Sequence, residues 1–172
     1  METKLLLKVE NLAFKKMKIY NQGRTRYIAR SVLASMFIGF GVIVAFKTGN
    51  FFYLVHSPFA YPMAALTFGA AIILIAFGGG DLFTGNTFYY PYAALRGKFR
   101  WLQVARLLFF SYIGNILGAV IFAFLIYFTE LFENPGSTVF LLSVVEKKLD
   151  ASFWELLFGP RGRELCPINI LT

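Results

Sequence analysis

The chain has 172 residues, of which 58% are hydrophobic, 19% aromatic and only 15% charged, with a mean hydropathy of +0.62. Soluble domains run near 45–50% apolar and about 25% charged, so this composition excludes disorder and a disulfide-knit secreted module. It also argues against a water-soluble enzyme and for a membrane protein. Seventeen basic residues against nine acidic leave a net charge of +8, which suits either nucleic acid or the anionic face of a membrane. With one cysteine, Cys166, and one histidine, His56, the chain supports neither an intrachain disulfide nor a zinc site of the usual Cys/His type.

Residues 1–26 carry Lys4, Lys8, Lys15, Lys16, Lys18, Arg24 and Arg26. The lysines interrupt Leu5–Ile19 throughout, so the segment lacks the apolar core of a cleaved signal peptide. On a helical wheel Leu5, Leu6, Val9, Leu12, Ala13 and Met17 form one stripe, with Lys4, Lys8, Lys15 and Lys18 largely opposite. That pattern predicts an amphipathic cytoplasmic helix over 1–26, lying on an anionic leaflet or packed on its own bundle or a soluble partner.

A transmembrane region is expected over 27–158. Tyr27–Phe46 reaches the roughly 20 residues that cross a bilayer; its Ala34, Ser35, Gly39 and Gly41 permit close helix approach, and Arg30 near one end can snorkel to the interface. The second span, 59–95, would be about 55 Å long as one straight helix, against a hydrocarbon core of roughly 30 Å. A break is therefore expected at 78–86, Gly78-Gly79-Gly80-Asp81-Leu82-Phe83-Thr84-Gly85-Asn86. Consecutive glycines disfavour helix, and Asp81, Thr84 and Asn86 can bond freed backbone groups or cap a restarting helix. Leu107–Thr129 is a charge-free third span with Gly114, Asn115 and Gly118 as packing points. Val139–Val145 is too short to cross. Ala151–Phe158 starts a fourth span that does not develop, because an atypical polar tail follows over 159–172.

Eight basic residues lie up to and including Arg30, and Arg96, Lys98, Arg100 and Arg106 lie between the second and third spans, whereas only Lys47 lies between the first and second. The positive-inside rule puts the N-terminus and the 96–106 loop in the cytoplasm. The broken segment must then cross the membrane completely, and nucleic acid is not the partner of the basic charge. Unwound backbone at membrane depth is tolerated only where protein buries it or a water-filled cavity receives it, and discontinuous helices build substrate sites in transport proteins. An intramembrane Asp81 points the same way. The residues suggest a channel or transporter, the alternative being a kinked structural helix with Asp81 as a satisfied cap.

Gly80-Asp81-Leu82-Phe83-Thr84-Gly85-Asn86 resembles the G-[DE]-L-F-T-G-N signature of the formate/nitrite transporter family. Ala93-Ala94-Leu95-Arg96-Gly97-Lys98 and Tyr112-Ile113-Gly114-Asn115-Ile116-Leu117-Gly118-Ala119 match its context, and the resemblance covers about residues 5–158. It implies an all-α, aquaporin-like helical bundle with a broken second transmembrane helix, the first inverted repeat complete and the second mostly missing. It further implies a homopentameric plasma-membrane channel passing small monovalent anions such as formate or nitrite, often with a proton. Carried over, Leu82 and Phe83 would form a hydrophobic constriction, with Thr84 as the hydroxyl beside it, Ile72 opposing it and Lys148 attracting anions at the outer vestibule. Gly80, Asp81, Gly85 and Asn86 would shape the loop. The plain readings remain ordinary core contacts for Leu82 and Phe83 and a solvated loop lysine for Lys148.

The family has a second broken helix with a central histidine, for which His56 does not substitute because it precedes the second span on the outer side. The tail reads like a truncation or an altered reading frame. The expected function is transport of small monovalent anions, without cofactor, metal or enzymatic activity. The alternative is a non-conducting truncated membrane protein or an interaction partner of a full-length relative.

Overall fold

The computed structural model describes residues 2–150; the expectations for Ala151–Phe158, the 159–172 tail and Cys166 lie outside the described residues. All regular structure among the described residues is helical. It comprises α1 (Glu2–Gln22), α2 (Arg24–Leu54), α3 (Ala60–Gly78), α4 (Phe83–Leu95), α5 (Trp101–Tyr127) and α6 (Val139–Asp150), with one 3₁₀ turn at Pro135–Ser137. Three of these, α2, α3 and α5, are long and apolar enough to cross a membrane.

α2 is the central post. α3 and α5 pack along it, while α1 lies against its start and against α4, and α6 packs on its far end. At one end, Ala13, Tyr27, Tyr90, Ala93, Ala94, Phe99, Val104 and Leu107 form a common core. These residues come from α1, the start of α2, the end of α4 with its following turn, and the start of α5. At the opposite end, Asn50 on α2 donates to the Gly136 carbonyl at 2.8 Å and accepts from the Phe140 amide at 3.0 Å. Because α3 begins at this second end and α4 finishes at the first, the interrupted α3–α4 segment runs the whole height of the bundle.

α2 extends beyond the expected 27–46 span at both ends. Lys47 does not stop it, because its ammonium reaches out to the Leu131 carbonyl at 2.6 Å and sits over the Phe132 ring. The 31 residues of α2 make a helix about 46 Å long, enough to carry both ends past the hydrocarbon.

Small residues set the α2–α5 approach. A Cβ on Gly118 would run into the Val32 carbonyl oxygen, and one on Gly114 would lie 2.6 Å from the Ser31 Cβ. The obstruction at Gly118 is backbone, so it cannot move aside without separating the helices. Gly118→Ala is expected to destabilise the bundle by about 1–3 kcal/mol, read as a lowered thermal midpoint in detergent, whereas alanine at the exposed Leu117 should leave that midpoint nearly unchanged.

The N-terminal helix packs on the bundle, one of the arrangements its pattern allowed, through Ala13 and Met17 of the expected stripe but not through its Leu6 and Leu12. Ala13 and Glu10 are buried and Lys16 is mostly covered, while Leu6 and Leu12 are exposed. The rotation follows from charge. Glu10 accepts from Arg96 Nε at 3.0 Å, and Lys16 reaches a buried acid described below, so two polar contacts face inward where a purely apolar stripe would have placed leucines.

Candidate functional site: a helix break beside an apolar hollow

α3 ends at Gly78, where Gly79 adopts the left-handed conformation (φ 69°) and its amide bonds the Ile75 carbonyl. Glycine enters that region without a Cβ penalty. The close approach continues at Gly80, where a Cβ would lie 2.8 Å from the Ala34 Cβ and 3.0 Å from the Ala34 Cα. Glycine therefore serves two needs at once, a turn at Gly79 and backbone contact with α2 at Gly80.

The exposed backbone groups of the break find partners within the protein. The Gly80 amide donates to the Ile75 carbonyl at 3.1 Å and the Asp81 amide to the Arg30 carbonyl at 3.2 Å. Asn115 of α5 does the rest. Its Oδ1 accepts from the Phe83 amide at 2.8 Å, and its Nδ2 donates to the carbonyls of Asp81 at 3.1 Å and Ser31 at 2.8 Å. The expectation that Asp81, Thr84 and Asn86 cap the restarting helix is corrected: the residue before α4 is Leu82, with no side-chain cap, and an asparagine one helix away supplies the hydrogen bonds.

Asp81 is instead a buried counter-ion. It is 0% exposed, with Arg30 Nε 2.8 Å from Oδ2 and Lys16 Nζ 2.7 Å from Oδ1; the two cations are 33% and 15% exposed. Arg30 thus turns inward to this carboxylate and does not snorkel outward, because an unpaired acid here would be far more costly than an unpaired surface arginine. Two positive charges and one negative leave a surplus of one positive charge at the break.

Lys16 also donates to Asn86 Oδ1 at 2.6 Å. Asn86 in turn donates to Ser111 Oγ at 2.9 Å and Tyr27 Oη at 3.2 Å, and the Tyr27 and Tyr90 hydroxyls are 3.0 Å apart. One polar network thereby ties α1, α2, α4 and α5 together on the side of the break nearer the first end. Beyond the spans, the hydrogen bond that Arg96 donates to Glu10, and then the Glu10 charge, push the Arg96 guanidinium pKa above its ordinary value.

On the other side of the break is an apolar hollow of about 820 Å³, lined chiefly by α2 (Ser35, Gly39, Phe46) and α5 (Ala119, Phe122, Ile126). Leu82 and Thr84 line it at the break, and Glu130, Leu131, Phe132 and Glu133 line it at the opposite end. Of the residues singled out from sequence, the structure brings Leu82 and Thr84 together here. Phe83 does not line the hollow; its ring packs on Tyr112 at 5.2 Å. Ile72 is exposed on α3, and Lys148 is exposed on α6; neither lines the hollow. Gly85 lies in the first turn of α4, where an added Cβ would meet only the Tyr89 ring of the same helix, at 3.5 Å. His56 sits in the turn between α2 and α3, with φ 53°, at the opposite end from the core around Tyr27 and Tyr90. Lys16, Arg30 and Asn115 carry the geometry of the break, and none was assigned to it from sequence. The only local hint was a charge or amide inside an otherwise apolar helix face.

The family model for the formate/nitrite transporter matches residues 3–159. The uncharacterized transporter YwcJ of Bacillus subtilis is 53% identical over 158 residues, 92% of this chain and 62% of that protein. The formate-nitrite transporter of Plasmodium falciparum is 32% identical over 141 residues, 74% of this chain and 46% of its own length. The nitrite transporter NirC of Escherichia coli is 30% identical over 129 residues, 74% of this chain and 47% of its own length. The chain thus spans between about half and three-fifths of these relatives. With the motif at the break, three membrane-length helices and a family match over nearly the whole chain, this integral membrane protein belongs to the formate/nitrite transporter family.

Proposed function

We propose that the chain forms part of a route for small monovalent anions of the formate or nitrite kind, with the break at its inner end and the 130–133 turn at its outer mouth. The observation that carries this reading is the two-sided break. Its charged side pairs Asp81 with Arg30 and Lys16 inside the protein, while its open side presents only Leu82 and Thr84 to an apolar hollow.

An apolar passage rejects hydrated ions, since stripping their water costs several kcal/mol or more. A weak-acid anion avoids most of that cost by accepting a proton and crossing the apolar stretch neutral. The positive surplus at the break favours an anion next to it, and the exposed Thr84 hydroxyl offers that anion a hydrogen bond. We assign the route to Leu82 and Thr84, and not to Phe83, Ile72 or Lys148, none of which lines the hollow. The basic end is assigned to the cytoplasm, following the excess of Lys and Arg there, within a homopentamer in the plasma membrane.

The test is uptake of formate and of nitrite by liposomes carrying the purified chain. Flux above that of protein-free liposomes is expected, with Thr84→Val lowering it about tenfold, the worth of one hydrogen bond. Thr87→Val, which removes a hydroxyl bonded at 2.6 Å to the Thr84 carbonyl, should retain most of the flux. No flux from the parent chain would favour the non-conducting alternative, and equal flux in the two variants would remove Thr84 from the route.

A further inference from the structure

We propose that the turn joining α4 to α5 is a docking surface for anionic phospholipid headgroups. This stands on the membrane setting of the helices and not on the transport reading.

The turn is rigid on both sides. α4 closes with Gly97 in the left-handed region (φ 69°), its amide donating to the Ala94 carbonyl at 2.8 Å and the Lys98 amide to the Ala93 carbonyl at 3.0 Å. This paired closure satisfies the last carbonyls of the helix. α5 opens with the Arg100 amide donating to Gln103 Oε1 at 3.0 Å and the Gln103 amide returning to the Arg100 carbonyl at 2.9 Å. Between these two caps, Phe99 is buried, its ring meeting Phe14 edge-on at 5.1 Å and lying 6.5 Å from Tyr90.

With Phe99 inward, its neighbours point out. Lys98 and Arg100 are exposed, as are Leu95, Trp101 and Leu102, Trp101 at 58%. Glu10 already pairs with Arg96, whereas neither Lys98 nor Arg100 is ion-paired among the described residues. Two uncompensated cations therefore sit beside an indole and two leucines at the end of the membrane-length helix α5. Basic groups next to an aromatic residue at that depth fit a phosphate with its acyl chains alongside. A zwitterionic lipid carries its own cation and gains little from Lys98 and Arg100; an anionic lipid gains about fivefold in local enrichment per basic side chain.

Trp101 reports directly on the occupant. Replacing the chain's other tryptophan, Trp154→Phe, leaves its fluorescence alone, and the protein is reconstituted in phosphatidylcholine vesicles containing increasing brominated phosphatidylglycerol or, separately, brominated phosphatidylcholine. Half-maximal quenching is expected at a severalfold lower mole fraction of the anionic lipid. Lys98→Gln with Arg100→Gln should raise that fraction by about fivefold or more and remove the difference between the lipids. Equal quenching by both lipids in the parent, or no quenching by either because protein covers Trp101, would overturn the proposal, as would a preference that survives the double substitution. The parent comparison decides even if the double variant folds poorly.

Discussion

Asp81→Leu is expected to destabilise the protein by about 3 kcal/mol, the lower part of the range for breaking a buried ion pair from one side. The carboxylate is fully buried and meets two cations, so its removal strands Arg30 and Lys16 against an apolar neighbour. The lower part of the range applies because Arg30 is 33% exposed and recovers some hydration. Thermal unfolding in detergent should show a markedly lowered midpoint. Converting the whole triad, with Lys16→Met and Arg30→Met added, should recover part of the loss, since an apolar set of similar volume needs no counter-charge. If Asp81→Leu unfolds like the parent, the carboxylate does not hold the break together.

Asn115→Leu should be comparably damaging by a different route. It removes the acceptor of the Phe83 amide and the donor to the Asp81 and Ser31 carbonyls. Each buried backbone group left unpaired costs about 1–3 kcal/mol, and within a membrane no water is at hand to repair the loss. The thermal midpoint should fall, and formate flux should fall with it, because Leu82 and Thr84 sit on the backbone that Asn115 fixes. Asn115→Asp keeps an acceptor for Phe83 but cannot donate to the Asp81 carbonyl, so it should behave more like leucine than like asparagine. Normal stability and normal flux in Asn115→Leu would mean that the break holds its shape without this side chain.

The break itself was legible in the sequence because its causes are local. Consecutive glycines and an acid inside a long apolar run announce lost helix wherever they occur, and the observed gap between Gly78 and Phe83 falls inside the expected 78–86. The partners of the break were not legible. Arg30 lies 51 positions from Asp81 and Asn115 lies 32 from Phe83, and nothing in a helical wheel joins residues on separate helices. Asn115 beside Gly114 read as a packing point, when the glycine makes room and the asparagine does the bonding. Leu82 and Phe83 show a second limit. They are adjacent and similar in chemistry, yet α4 starts between them, so one lines the hollow and the other packs on Tyr112. In α1, the apolar pattern placed Ala13 and Met17 correctly but Leu6 and Leu12 wrongly, because the buried Glu10 and the mostly covered Lys16 turn inward to their partners.

A route for anions requires that the open side of the break border water and not lipid. Thiol labelling in sealed vesicles tests this, using Thr84→Cys in a Cys166→Ser background and a small, charged, membrane-impermeant methanethiosulfonate. Phe77→Cys in the same background is the control for lipid contact, since Phe77 lies on the outward face of α3 beside the break and is 89% exposed in the isolated chain. The thiol introduced at position 84 should be labelled and the one at position 77 should not. An unreactive thiol at position 84, or labelling there no faster than at position 77, would contradict a water-lined break.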